Sequence, residues 1–244
     1  MALEIATIFD NPEAPAEKVK KQQITDIKEA VRDQDRLNIY VDNKFFCSLA
    51  LSQVVDLKLK IGKQLSDEEL AGLKRASEFG KLYQRALEYA LLRPHSQKEM
   101  RDYLKKKTLS RTIRVKNKKT GEYQTKLKEG YDSSLLEPVL ARLIERGYVD
   151  DERFARLWVE NRSVRKGISQ KKLRLELQSK GVSQDIIDNC LSVGVRNERE
   201  ELEKVIAKKA KKYPDEQKLI QYLLRQGFNY SDVLDAVSAA SSSE

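Results

Sequence analysis

The most concentrated set of reactive side chains in this 244-residue sequence is a basic segment, KKKTLSRTIRVKNKKTGEYQTKLK, at positions 105–128. It holds ten Lys or Arg residues and one acidic residue, Glu122, so its net charge of +9 equals the formal charge of the whole chain. Cations without compensating acids repel one another and attract phosphate groups. We therefore predict contact with a nucleic-acid backbone, rather than a solvated loop whose lysines only aid solubility. The candidate side chains are Lys105, Lys106, Lys107, Arg111, Arg114, Lys116, Lys118, Lys119, Lys126 and Lys128.

The residue pattern of this segment predicts a two-stranded β-hairpin. Ile113 and Val115 in its first half, and Tyr123 and Leu127 in its second, are residues that favour strands, and Gly121 suits the turn between them. The many lysines favour contact with phosphates over the reading of base edges.

A second set of candidate binding residues lies further along the chain. Arg162, Arg165 and Lys166 end one predicted helix, where cations interact favourably with the helix dipole. Lys171, Lys172 and Arg174 open the next helix, where cations oppose the dipole. The second group therefore lacks a structural explanation, and a partner-binding face for protein or DNA is one interpretation of both groups.

Catalytic chemistry finds little support in the sequence. The acidic run at 150–152 could suggest a metal site, but helix capping explains it better, because these residues open a predicted helix. His95 is the only histidine, and no phosphate-binding loop, zinc-protease or hydrolase motif is present. We predict a protein that is not an enzyme and needs no metal or other cofactor.

The cysteines and the apolar residues indicate the compartment. Cys47 and Cys190 lie 143 positions apart with no metal-binding spacing, which is typical of reduced thiols. No apolar run approaches the length of a membrane span, and the first residues lack the pattern of a signal peptide. We therefore expect a cytoplasmic protein without a membrane contact.

The elements that position the basic residues belong to an internal repeat. Three segments align, SQKEMRDYLKKK (96–107), SQKKLRLELQSKGV (169–182) and DEQKLIQYLLRQGF (215–228). Each begins on a helix N-cap residue and has core residues four apart. Helical patterns precede the three segments at 79–93, 151–166 and 197–212, and follow them at 134–146, 183–192 and 230–240. The sequence thus predicts a mainly α protein, in which three tandem three-helix repeats stack into an elongated, curved body.

The copies are spaced unequally, by 73 and then 46 residues. The surplus of about 27 residues in the first repeat corresponds to the basic stretch, which stands where the other copies have Gly181 and Gly227. We predict a basic β-hairpin inserted at 108–130, and Lys107 in the position of the missing glycine leaves the end of the preceding helix open.

A small α+β domain is predicted at 22–78. RLNIYVDNKFFCSLAL indicates a β-hairpin, and QITDIKEAV before it fits a third strand or a helix, of which we favour the strand. A short helix should end near Gly62, and Ser66 with Glu69 forms a capping box for the next helix. The predicted organisation is a disordered 1–21, the α+β domain, repeats at 79–150, 151–195 and 196–240, and a tail at 241–244.

The segment ERGYVDDERFA at 145–155, with Trp158, Val159, Arg162, Gly167 and the stretch from Ser169 to Val182, resembles the RecX family of regulators of the bacterial recombinase RecA. The resemblance covers about residues 80–240, and the strand-rich N-terminal part is similar to the extension of longer members. It implies a three-helix repeat fold, no catalytic centre, and binding along the groove of the RecA–single-stranded DNA filament. It also implies inhibition of ATP turnover and strand exchange in recombinational DNA repair and the SOS response.

Two functions therefore stay open on the sequence. The first is a monomeric, non-enzymatic regulator of the RecA filament that also contacts single-stranded and double-stranded DNA. The second is a stand-alone DNA-binding protein that uses its helix pairs and its basic hairpin, and whose affinity is indifferent to the recombinase.

Overall fold

A computed structural model of the chain describes residues 22–31, 33–117, 121–166, 168–193 and 197–241. The predicted disorder of residues 1–21 lies outside these ranges, and so do residues 242–244 of the predicted tail at 241–244, whereas Ser241 ends the last helix. The chain separates into two compact units, one up to Gly80 and one from Lys81 onward. Each unit has its own hydrophobic core residues.

The N-terminal unit is built on a four-stranded antiparallel sheet in the order β3-β2-β1-β4. The predicted β2–β3 hairpin turns at Asp42 and Asn43, which both have positive φ, as a tight two-residue turn requires. The segment QITDIKEAV, for which the sequence pattern allowed a strand or a helix, forms strand β1 up to Ala30. The strands are β1 (Gln22–Ala30), β2 (Asp33–Val41), β3 (Lys44–Ala50) and β4 (Gln64–Leu65).

The short helix after the sheet ends earlier than predicted. Helix α1 spans Leu51–Asp56, whereas the sequence pattern placed its end near Gly62. Lys58 adopts a left-handed φ of 48°, and the Leu59 amide donates to the Val54 carbonyl, so the chain reverses there. The reversal packs Leu59 against the core around Ile24, Ile39 and Leu49. Burial of this leucine therefore ends the helix.

Helix α2 is continuous over Asp67–Leu92. Its start carries the predicted capping box, in which the Glu69 amide donates to Ser66 Oγ and the Ser66 amide donates to the Glu69 carboxylate. The predicted boundary between residues 78 and 79 falls inside this helix. No proline interrupts the helix there, so the predicted boundary does not coincide with a helix end.

The C-terminal unit contains the helices of the three repeats, which confirms the mainly α fold with a small N-terminal α+β part. Leu173 and Leu177 are fully buried in the second repeat, and Leu219 and Leu223 are buried in the third, as their spacing predicted. The helices are α3 (Gln97–Thr108), α4 (Leu136–Glu145), α5 (Asp151–Lys166), α6 (Gln170–Ser179), α7 (Gln184–Val193), α8 (Glu198–Lys209), α9 (Glu216–Arg225) and α10 (Tyr230–Ser241).

One hydrogen bond recurs at both junctions between consecutive repeats. Ser96 Oγ caps α3 and also donates to the Lys180 carbonyl at 2.7 Å, at the end of the second repeat's middle helix. Ser169 Oγ caps α6 in the same way and donates to the Gln226 carbonyl at 2.9 Å in the third repeat. Each N-cap serine therefore also joins its own repeat to the next one.

An acidic side chain completes each junction from the following repeat. The Gln97 amide donates to Asp151 Oδ1 at 2.8 Å, and the Gln170 amide donates to Glu198 Oε1 at 3.3 Å. Asp151 is largely buried, and this burial raises the pKa of its carboxyl. The sequence interpretation of the 150–152 run as a capping set holds for Asp150, which accepts from the Glu152 and Arg153 amides, while Asp151 acts in the junction.

An ion-pair cluster adds to the first junction. Lys180 Nζ lies 2.7 Å from Glu99 Oε1, and Arg93 lies 2.9 Å from Glu99 Oε2. Burial raises the pKa of the Glu99 carboxyl, but the two cations outweigh it and lower this pKa to about 2. His95 stacks on Tyr89 beside this cluster, and burial lowers its pKa. The only histidine thus has a packing role.

Candidate nucleic-acid interface

The basic segment folds as the predicted hairpin. Strand β5 (Arg111–Lys116) pairs antiparallel with β6 (Tyr123–Lys128), from Arg111 opposite Lys128 to Lys116 opposite Tyr123. The Asn117 amide donates to the Glu122 carbonyl at 2.7 Å, and Gly121 has a φ of 75°. Lys118 and Lys119, which belong to the predicted site, lie outside the described residues.

The two ends of the hairpin meet at the end of α3. The Tyr131 amide donates to the Lys107 carbonyl at 3.1 Å, which closes the insertion back onto the helix. A Cβ on Gly130 would lie 2.0 Å from the Thr108 carbonyl oxygen, so only glycine fits this close approach. Helix α3, which ends at Thr108 without a glycine, is therefore terminated by the segment that returns from the hairpin.

The two faces of the hairpin differ in exposure. Residues paired across antiparallel strands lie on the same face. We call one face the outer face, because all six of its side chains are exposed; they are Thr112, Arg114, Lys116, Tyr123, Thr125 and Leu127. The opposite face carries the half-buried side chains of Ile113, Val115 and Lys128.

Charge on the hairpin is not neutralised by its neighbours. Neither strand contains an acidic residue. In the part of the C-terminal unit that the structure describes, the ion pairs belong to other cations, such as Arg101, Arg142 and Arg174. Arg111, Arg114, Lys116 and Lys126 are all exposed. The hairpin therefore presents free positive charge to solvent.

A group of cations converges where the hairpin joins the helices; we call Arg85, Lys107, Arg111 and Lys128 the root cluster. Burial lowers the pKa of the Lys107 ammonium, and the charges of Arg111, Arg85 and Lys128 lower it further. Tyrosine rings offset part of this repulsion, since Lys107 Nζ lies 4.8 Å from the Tyr103 ring centroid. Sequence reasoning missed Arg85, because its helical position on α2 gives no sign that it faces the hairpin.

The cations of the second repeat that are predicted to bind a partner differ in their contacts and in their exposure. Lys172 Nζ donates to the Arg225 carbonyl at 3.3 Å and to Gln226 Oε1 at 2.8 Å, so it serves the second repeat junction. Arg174 forms an ion pair with Asp188. Lys171 is exposed and lines a cavity with Tyr230. The side chains of Arg162, Arg165 and Lys166 lie outside the described residues.

Other chemically active groups in the described residues have structural contacts. Trp158 packs against the core of the second repeat, and its Nε1 donates to Glu176 Oε2 at 3.0 Å. No group of three His, Cys, Asp or Glu side chains that could hold a metal occurs among the described residues. Within the same ranges, every helix is too short or too polar to cross a bilayer.

Comparison with known proteins matches two parts of this architecture. A family model described as "RecX, second three-helix domain" matches residues 150–191, and one described as "Regulatory protein RecX N-terminal domain" matches residues 22–66. Regulatory protein RecX of Bacillus subtilis (strain 168) is 29% identical over 224 residues, which cover 89% of this chain and 75% of that protein. Regulatory protein RecX of Mycolicibacterium smegmatis is 32% identical over 146 residues, covering 55% of this chain and 78% of that protein. The chain belongs to the RecX family.

The fold agrees with that membership. A crystal structure of regulatory protein RecX superposes with a TM-score of 0.69 at 22% identity, covering 89% of this chain and 99% of the other. The matched ranges of the two RecX family models hold the N-terminal sheet and the second repeat. Neither range includes the basic hairpin.

Proposed function

We propose that this RecX-family chain is a non-enzymatic regulator that binds the RecA–single-stranded DNA filament and inhibits its ATP hydrolysis and strand exchange. The observation that carries the proposal is the projecting hairpin, whose exposed cations have no acidic partner among the described residues. A partner that offers both protein and phosphates suits a chain that combines a helical repeat surface with a cationic arm.

The dimensions of the hairpin fit a contact with several phosphates. Each strand has six residues and is therefore about 20 Å long. That length matches roughly four to six phosphates of a nucleic-acid strand. The predicted site residues that remain available for this contact are Lys105, Lys106 and the exposed cations of the two strands. Lys107 and Lys128 contribute through the root cluster.

The three-helix repeats supply the protein contact in this proposal. Their two junctions are built from matching hydrogen bonds, so the repeats are held to one another at defined points. A body of this kind can contact neighbouring subunits of a filament. It changes the activity of the filament only if its affinity differs between the active and inactive states. We assign the chain to the cytoplasm, as a monomer that acts in recombinational repair and the SOS response.

RecA-catalysed ATP hydrolysis on single-stranded DNA tests the proposed function. Adding the chain at increasing concentrations should lower the hydrolysis rate progressively, and a variant lacking residues 108–130 should need higher concentrations for the same effect. A hydrolysis rate that stays constant at concentrations where the chain saturates the filament would exclude the inhibitory function.

The alternative is a stand-alone DNA-binding protein. The basic hairpin serves this function equally well, because the phosphates of bare DNA carry the same charge as those in a filament. The alternative gains support if the chain binds bare DNA and leaves ATP hydrolysis by RecA unchanged.

A further inference from the structure

The outer face of the hairpin carries two large, exposed apolar side chains. Tyr123 is 57% exposed and Leu127 is 70% exposed, and the pairing register places both side chains on the outer face. Ile113 and Val115 on that opposite face are half-buried. The Tyr123 ring therefore faces solvent, where a binding partner of the hairpin can reach it.

The ring on the outer face stands directly beside positive charge. The Arg114 guanidinium carbon lies 4.6 Å from the Tyr123 ring centroid, which is a cation–π contact between neighbouring positions of the two strands. Lys116 is the residue paired with Tyr123, so a second cation lies on the same face. This contact places the guanidinium beside the ring, and both side chains stay exposed.

An exposed ring among cations matches the surface that binds single-stranded nucleic acid. Such surfaces combine a cationic path for the backbone with aromatic side chains on which unpaired bases stack. In a duplex the faces of the bases are already stacked, so a duplex could use only the cations. A protein partner would have to supply carboxylates, whereas a single strand supplies anions and planar bases together.

We propose that the outer face of the hairpin is a stacking platform for single-stranded nucleic acid. One unpaired base lies on the Tyr123 ring, and the flanking phosphates contact Arg114 and Lys116. The platform selects single strands over duplexes, which phosphate contacts alone would not do. This inference rests on the proposed nucleic-acid contact of the hairpin, and it adds the base-stacking residue and the strand preference.

The test compares two single strands of equal length, an oligothymidylate and an abasic oligonucleotide with the same phosphates and no bases. The intact chain should bind the oligothymidylate about 5- to 150-fold more tightly, since stacking of one base contributes roughly 1–3 kcal/mol. Tyr123→Leu should remove this preference while keeping the affinity for the abasic strand, and Tyr123→Phe should retain it. Phe45→Leu is the matched control and should leave the preference unchanged, because Phe45 is 56% exposed and lies on β3, outside the candidate site.

Each outcome of this comparison has a distinct meaning. A preference that survives Tyr123→Leu, or is missing from the intact chain, overturns the stacking platform. An Arg114→Gln, Lys116→Gln double variant should bind both strands more weakly by a similar factor. If that double variant binds both strands as tightly as the intact chain, the proposed phosphate contact of the outer face fails as well.

Discussion

Replacing Arg111, Arg114, Lys116 and Lys126 with glutamine should weaken binding to single-stranded DNA by about 10²–10³-fold at 0.1 M salt. The four side chains are exposed on the hairpin, and neither strand offers an acidic partner. Each phosphate neutralised on a single strand contributes about −0.7 to the slope of log affinity against log salt. Four lost contacts should therefore reduce the slope by about 3, measured by fluorescence anisotropy across a salt series.

A charge-matched control separates the hairpin from total charge. Lys60, Lys74, Lys208 and Lys211 are also exposed, and changing them to glutamine removes the same charge from elsewhere in the chain. The control variant should keep most of the salt slope, and both variants should keep the thermal unfolding transition of the intact chain. Equal losses of slope in the two variants would mean that net charge, and no particular site, attracts the DNA.

Gly227→Ala should lower the free energy of unfolding by about 2–4 kcal/mol. Gly227 has a φ of 89°, and a left-handed conformation costs a residue with a side chain roughly 1–2 kcal/mol. An added Cβ would also lie 2.5 Å from Ser169 Oγ, the atom that caps α6 and donates to the Gln226 carbonyl. Displacing this hydroxyl weakens a helix cap, which is worth about 0.5–2 kcal/mol, together with the repeat junction.

Gly147→Ala provides the matched control for this junction. Gly147 ends α4 with a φ of 71° and the same type of terminal hydrogen bonds, but a Cβ there would meet no atom within 4 Å. Gly147→Ala should lower the free energy of unfolding only by the cost of a left-handed conformation, which is about 1–2 kcal/mol. Urea unfolding of both variants measures the difference. If the two variants lose the same stability, the Ser169 contact between the second and third repeats contributes nothing to the stability of the fold.

Much of the fold could be predicted because it depends on local patterns. The buried leucines of the repeats recur four residues apart, and the strands of the hairpin alternate around a glycine-containing turn, so short segments identify each element. The junctions could not be predicted in this way. Ser96 has the sequence signature of an N-cap, and its second bond goes to a carbonyl 84 residues away.

In the candidate site, too, some features follow from local sequence and others depend on packing between distant segments. The number of cations in the hairpin was evident from composition, and their exposure follows from the insertion. Lys172 and Arg174 are predicted to bind a partner, and the structure places them against Gln226 and Asp188, which only the packing of the helices brings close. The sequence identifies Tyr123 only as a strand-forming residue, because a strand pattern does not tell which face of an isolated hairpin packs against the protein.

The most direct test of the central claim is the affinity of the intact chain for single-stranded DNA, measured bare and preassembled with RecA and a slowly hydrolysed nucleotide, across a salt series. We predict much tighter binding to the filament, together with a salt slope for bare DNA near roughly −3 that the hairpin substitutions reduce. Equal affinity for the filament and for bare DNA would contradict the regulator function and leave a basic DNA-binding protein with the RecX fold.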